Sequence, residues 1–251
     1  MTVSNIFFSP TGGTKKVADL FASQLGDDIV NIDLTLVDAC LTDCNSDIAI
    51  ISAPVYNGRI SDEIRRRISG IVGNSTPCVV IAVFGNRAYE NALAELSKTA
   101  TDAGYNVIAA IAAVAEHSIM RQFGTGRPNA DDVATLKQYA NSIKSKLNAK
   151  EANNLLQVPG IVSAKPTKDG QLVPKPGKEC DACGVCAVKC PMSAIDLYNP
   201  QKVDKSKCIS CMRCVAICPK QARKVSPIMV NLIAMLMKKA FIAPKPYEIY
   251  L

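Results

Sequence analysis

The chain has 251 residues, with 29 Lys+Arg against 22 Asp+Glu, one His, no Trp and 5% aromatic residues. So few rings leave little stacking surface for single-stranded nucleic acid, which sets that function class aside. Charge is uneven: residues 1–150 carry 14 basic and 15 acidic side chains, residues 151–251 carry 15 and 7, so the two parts differ in kind and read as separate domains.

Residues 3–8 form a short apolar run ending in a Gly-rich turn, and residues 14–25 follow with Val17, Leu20, Phe21 and Leu25 at helical spacing. Further apolar runs at 29–34, 48–53, 78–84 and 107–114 alternate with helical candidates at 62–69, 88–103 and 131–147. Five buried strands alternating with helices predict an α/β fold, a doubly wound five-stranded parallel sheet covered on both faces. Residues 35–45 read as a poor helix or a loop. Cys40 and Cys44 within them, and Cys78 opening the fourth strand, read as reduced thiols because no fourth metal ligand accompanies them.

In such a sheet ligands bind beyond the carboxyl ends of the strands, where the strand order reverses. The loop after the first strand is Ser9-Pro10-Thr11-Gly12-Gly13-Thr14. Backbone N–H groups at the following helix start, with the Ser9, Thr11 and Thr14 hydroxyls, would cradle a phosphate without a cationic side chain. Taken alone, the hexapeptide reads equally as an ordinary capped helix start. A Walker loop is disfavoured, since Gly13 is followed by Thr14 and only then by Lys15.

The hexapeptide matches the pattern [ST]-x-T-G-x-T, and residues 1–147 resemble a flavodoxin domain. The resemblance implies noncovalent FMN. The family's two loops around the isoalloxazine correspond to Pro54-Val55-Tyr56-Asn57-Gly58-Arg59 and Phe84-Gly85-Asn86-Arg87-Ala88-Tyr89. The implied cofactor contacts are therefore Ser9, Thr11, Gly12, Gly13, Thr14, Pro54, Tyr56, Asn57, Gly58, Phe84, Gly85, Asn86 and Tyr89. Flavodoxins generally stack an aromatic ring on the flavin, and Tyr56 is preferred to Tyr89, which can equally pack on its helix. Gly58 tolerates positive φ, so the Asn57–Gly58 peptide is expected to flip and present its carbonyl to the flavin. His117, the only His, stands in a polar stretch reaching Pro128. It reads as a residue that hydrogen-bonds its loop; the alternatives are proton donation to the flavin, anion binding, or contact with the following domain.

Residues 148–178 are rich in Pro, Lys and Gly and read as a connecting arm, whose apolar Leu155, Leu156 and residues 158–162 are suited to lie along one domain and fix the other.

Eight cysteines follow in two runs of C-x2-C-x2-C-x3-C-P. Cys180, Cys183, Cys186 and Cys190 precede Pro191; Cys208, Cys211, Cys214 and Cys218 precede Pro219; each stands 28 residues from its counterpart. Disulfides are disfavoured because residues 1–10 carry no export signal, which also leads us to expect a cytoplasmic protein. Zinc normally closes two separated pairs, not a triplet with a distant fourth ligand. Four thiolates hold an iron–sulfur cluster, and residues 179–225 resemble a small α+β bacterial ferredoxin domain with two [4Fe-4S] clusters. The resemblance implies crossed ligation: one cluster on Cys180, Cys183, Cys186 and Cys218, the other on Cys208, Cys211, Cys214 and Cys190. Each loaded oxidised cluster carries about two negative charges, which removes part of the basic excess and further weakens a nucleic-acid reading.

Residues 226–251 are expected to form a helical tail. The stretch 228–241 is apolar and methionine-rich, and falls short of the about twenty apolar residues that span a bilayer. Packing on the domain interface or on a homodimer partner is expected ahead of membrane contact.

A flavin exchanges one or two electrons and each cluster one, so joining them connects two-electron to one-electron chemistry. The whole arrangement resembles the flavodoxin–ferredoxin fusions of anaerobes, an iron–sulfur flavoprotein family. That implies an electron carrier between redox partner proteins, without a catalytic residue. The alternative is a flavin-dependent oxidoreductase acting on NAD(P)H or a small acceptor at the FMN face; a weaker one is an oxygen or redox sensor. No Gly-x-Gly-x-x-Gly nicotinamide loop is present, which favours the carrier.

Overall fold

The structure is a computed structural model that describes residues 1–36, 46–149, 156–167 and 172–251; Cys40, Cys44 and Leu155 lie outside the described residues. The apolar runs become strands β1 (Thr2–Phe7), β2 (Asp28–Asp33), β3 (Ile48–Pro54), β4 (Pro77–Phe84) and β5 (Asn106–Val114). They pair in parallel in the order β2-β1-β3-β4-β5. Residues 48–53 and 78–84 are buried throughout, as expected of strands covered on both faces. This is the flavodoxin-like order, and its reversal lies between β1 and β3.

Helices α1 (Gly13–Leu25), α2 (Asp62–Ile68), α3 (Ala92–Asp102) and α4 (Ala130–Asn148) cover the sheet. Helix α1 turns Val17, Ala18, Phe21, Ala22 and Leu25 inward, and burying a side chain the size of Phe21 stabilises by about 1.5–3 kcal/mol. Helix α4 opens on a capping box between Asn129 and Asp132. Helix α3 begins at Ala92 and not at residue 88, because Asn86 (φ 67°) and Glu90 (φ 43°) hold left-handed conformations that a helix cannot continue through.

The cysteine-rich part contains β6 (Lys175–Pro176), α5 (Val185–Val188), α6 (Arg213–Ala216) and β7 (Arg223–Lys224), with β6 antiparallel to β7. Arg67 on α2 ties it to the sheet domain by donating to the Pro191 carbonyl and, at 2.6 Å, to that of Leu34. The described part of the arm lies along the first domain: Arg59 donates to the carbonyls of Ser163 (3.2 Å) and Lys165 (2.7 Å) while its Nε meets Glu95 at 2.7 Å.

The tail departs from the helical expectation. After α7 (Pro227–Leu236) and α8 (Lys238–Phe241) it ends in β8 (Glu248–Tyr250), which adds a sixth, antiparallel strand to the edge of β5. Tyr247 secures this return through a hydrogen bond from its hydroxyl to the Val114 carbonyl (2.9 Å), and Arg127 stacks over the Tyr247 ring. The cysteine module is thus inserted between α4 and β8, not appended. Among the described residues no helix is long and apolar enough to cross a membrane.

Candidate functional site

A cavity of about 480 Å3 opens beyond the carboxyl ends of the parallel strands, at the switch point. Its size suits a cofactor or small molecule. Pro10, Thr11, Gly13 and Thr14 after β1, residues 54–58 after β3, residues 83–85 with Arg87 and Ala88 at the end of β4, and residues 115–120 after β5 form its walls.

Several features of these walls fit a flavin phosphate. Gly12 takes φ +91° at the start of α1, a conformation costly for any residue with a Cβ. No side chain of the Gly12 cap satisfies that helix start and no acidic residue occupies its first turn, so the Gly13 and Thr14 N–H groups and the positive dipole end stand beside the cavity that both residues line. Ser9 braces the loop from behind: its hydroxyl accepts from the Lys15 N–H at 2.8 Å, and its own N–H donates to the Thr35 hydroxyl at 2.6 Å.

Tyr56-Asn57-Gly58-Arg59 is a tight hairpin turn, with backbone hydrogen bonds of 2.9 and 3.0 Å between Tyr56 and Arg59. Asn57 (φ 50°) and Gly58 (φ 78°) are both left-handed, the signature of a type I′ turn. The Gly58 carbonyl accepts from the Asn91 N–H at 2.9 Å. Turning the central peptide over would lead toward a type II′ turn, whose first central position favours Gly and here holds Asn57. The flip expected from the sequence therefore works against this residue order.

Of the residues expected from the sequence, Thr11, Gly13, Thr14, Pro54, Tyr56, Asn57, Gly58, Phe84 and Gly85 line the cavity; Ser9, Gly12, Asn86 and Tyr89 do not. Asn86 and Tyr89 serve the tail instead. The Asn86 amide donates to the Phe241 (2.5 Å) and Ala243 (3.1 Å) carbonyls and accepts from the Lys245 N–H (3.0 Å). The Tyr89 hydroxyl meets Glu248 at 2.5 Å and Tyr250 at 2.7 Å, and burial together with these neighbours pushes its pKa up. Sequence reasoning could not place them there, because β8 gives no periodic signal.

His117 also lines the cavity. Its Nδ1 accepts from the N–H groups of Ile119 and Met120, each at 3.1 Å, and its ring meets the edge of Phe241. Burial, then the Arg87 charge, lowers its pKa to about 4, so the ring is neutral at pH 7. Met229, Ile233, Met237 and Phe241 form the opposite wall, which the sequence reading missed. Their regular four-residue spacing, one stripe of a helix, was the available signal.

The cysteines gather around two smaller cavities. One is walled by Cys190, Cys208, Cys211 and Cys214, the other by Cys180, Cys183, Cys186 and Cys218. Among the described residues no three metal-ligating side chains converge at single-ion spacing; sulfurs around a four-iron cube stand further apart than that. Burial pushes the Cys211 and Cys214 thiols up to about 12, so iron must displace their protons to bind. Cys218 goes the other way, because backbone N–H groups of Ala222, Arg223 and Lys220 outweigh burial and favour the thiolate. Ile209 lines both the large cavity and the one walled by Cys190, Cys208, Cys211 and Cys214.

Residues 179–222 match the 4Fe-4S dicluster domain family. No curated protein matches the chain. Among solved structures, a flavodoxin of Streptococcus pneumonia TIGR4 is similar at 20% identity over 58% of this chain and 99% of that one, with a TM-score of 0.43. A flavodoxin from the domain Archaea is 12% identical over 59% and 99%, with a TM-score of 0.41. Rubredoxin oxygen:oxidoreductase of Desulfovibrio gigas is 18% identical over 60% of this chain and 37% of that one, with a TM-score of 0.42. The fold assignment rests on strand order and register, not on these values. The chain joins an α/β domain with flavodoxin-like strand order to a segment, residues 179–222, that matches the 4Fe-4S dicluster domain family.

Proposed function

We propose that the chain is an electron carrier that couples one FMN in the large cavity to two [4Fe-4S] clusters, one on Cys190, Cys208, Cys211 and Cys214 and one on Cys180, Cys183, Cys186 and Cys218. The shared wall at Ile209 carries this reading, since it puts the flavin cavity next to one cysteine set. Bound FMN would exchange electrons singly or in pairs, and the clusters would take them one at a time. Thr11, Thr14 and the first N–H groups of α1 would hold the phosphate. Tyr56 and the Asn57–Gly58 turn would border the ring system. Met229, Ile233, Met237 and Phe241 line the opposite side of the cavity with apolar surface, and side chains there would hinder a nicotinamide from stacking on a bound flavin, which favours a carrier over an oxidoreductase. The partners would be one-electron redox proteins, and eight free thiols call for a reducing compartment such as the cytoplasm.

The test is anaerobic reconstitution followed by mixing with NADH, NADPH or reduced ferredoxin while flavin and cluster bleaching are followed separately. About eight irons and one FMN per chain are expected, with rapid bleaching by reduced ferredoxin. Rapid bleaching by a nicotinamide alone would replace the carrier with the oxidoreductase.

A further inference from the structure

The two cysteine runs repeat with a period of 28 residues, and their surroundings repeat with them. Ala194 and Ala222, one period apart, each donate a backbone N–H to the fourth cysteine of their run, at 3.4 Å to Cys190 and 3.3 Å to Cys218. One position further the repeat breaks. Ile195 follows Ala194, whereas Arg223 follows Ala222. Both side chains are inside: Ile195 is 5% exposed and Arg223 1%.

A buried guanidinium is costly unless its donors are met and its charge is compensated. The donors of Arg223 are met by neutral groups. One terminal nitrogen donates to the Pro174 carbonyl at 3.3 Å, the other to the Pro200 carbonyl, and Nε to the Cys186 sulfur at 3.1 Å. Among the described residues Arg223 forms no ion pair with a carboxylate. It does line both small cavities, so the compensating negative charge belongs to whatever the cysteines hold on either side.

We propose that Arg223 is a tuning residue, a buried cation between the two cluster sites that sets the cluster on Cys180, Cys183, Cys186 and Cys218 at a higher reduction potential than the other. The inference rests on the two-cluster reading above. Net charge and hydrogen bonds to sulfur set cluster potentials. A fixed cation favours the more negative, reduced state of both clusters, but the sulfur hydrogen bond goes to Cys186 and so to one of them. Solvent exposure, another determinant of potential, is uneven too: one set runs from exposed Cys183 to buried Cys186, while the four cysteines of the other are all half-buried. The cluster beside the flavin cavity is then the lower of the two, and the outlying cluster draws electrons away from the flavin.

The full chain, loaded anaerobically and assayed for iron, is titrated with dithionite while EPR follows each cluster. The wild type is expected to show two separate one-electron steps. In Arg223→Gln, which removes both the charge and the Nε donor, the upper step falls by at least tenfold in its reduction equilibrium, about 59 mV for a one-electron couple, and the steps converge; Arg223→Lys, which keeps the charge but gives up the Nε–H donor to Cys186, holds the lower step in place while the upper one falls toward it. Coincident steps in the wild type, or unchanged steps in Arg223→Gln with its iron intact, overturn the proposal. If Arg223→Gln will not hold its iron, Arg223→Lys decides: an upper step that falls toward the lower one supports the proposal, and steps unchanged from the wild type overturn it. Wild-type protein that never takes up about eight irons overturns the cluster reading and this inference together, whereas a full iron complement with coincident steps overturns this inference alone.

Discussion

The sheet domain and the cysteine module occupy one chain but are held by different forces. The first buries a continuous apolar core running from Val3 on β1 to Ile143 on α4. Among the described residues the module's own core cluster is Cys186, Ala187 and Ile195, with Cys190, Val203 and Cys214 packed beside them and the small Ala194 and Ala222 buried nearby in the chain. It supplements this by lending Ile209, Met192 and Cys211 to the core of its neighbour. A module with so little apolar burial is expected to draw its order from the clusters proposed for it, and the sheet from its apolar core.

The largest consequence is expected on iron removal. Stripping the metal anaerobically should lower amide-exchange protection across residues 179–222 by roughly 100-fold or more, because metal binding supplies folding free energy there, while β1, β3 and β4 keep theirs. Equal loss in both regions would show that the sheet also relies on the clusters and erase the contrast. A sharper cut comes from Cys190→Ser. Crossed ligation predicts loss of the cluster otherwise held by Cys208, Cys211 and Cys214, and so about half of the iron. Damage confined to the cluster of Cys180, Cys183 and Cys186 would instead assign Cys190 to its sequence neighbours.

The same contrast explains what could be read from sequence. The central strands were legible because a strand buried on both faces writes itself as a nearly continuous apolar run, as residues 48–53 and 78–84 do; β2, expected to be buried like them, is an edge strand with Asp28, Val30 and Asn31 exposed, and only Ile32 fully inside. The cysteine runs were legible because ligand spacing is local. Strand β8 was not: three residues, Glu248 to Tyr250, pair with an edge that lies more than a hundred residues earlier in the chain, and pairing decides them rather than pattern. With β8 came the reassignment of Asn86 and Tyr89, whose side chains bind the tail that it anchors. The start of α3 lies later than expected for a related reason: residues 88–91 look helical by composition, yet Glu90 is left-handed and the Asn91 N–H next to it donates to the distant Gly58 carbonyl.

Acid should expose a smaller difference, this time within the sheet domain. His117 has a folded pKa of about 4 against an ordinary value of 6.5, so below 6.5 the unfolded chain takes up a proton that the folded chain does not. Its contribution is intact above about pH 6.5 and is lost progressively as pH falls toward 4, by up to about 3 kcal/mol. His117→Asn, which retains an acceptor for the Ile119 and Met120 N–H groups, should flatten that limb. Exchange protection of β4 and β5 at pH 7 and pH 5 reads the effect, and equal slopes in variant and wild type would remove His117 from the acid response.

The smallest effect concerns the Asn57–Gly58 turn, which lines the large cavity proposed for FMN. Gly58→Ala is a poor probe: Gly58 has φ +78°, and a Cβ there would lie 1.9 Å from the Glu90 carboxylate and 2.9 Å from the Glu90 Cβ, so Glu90 would have to move and the left-handed backbone would be strained. Asn57→Gly leaves the turn intact and removes the side chain that disfavours the alternative type II′ geometry, at a stability cost within about 1 kcal/mol. If the central peptide bears on the bound flavin, freeing it should widen the separation between the two successive one-electron steps of FMN, read by potentiometry on protein with its iron intact. The cluster steps should stay in place, since this turn lines neither cysteine cavity. Flavin steps that do not move would mean that Asn57 holds the loop's shape and leaves the potential to the walls around it.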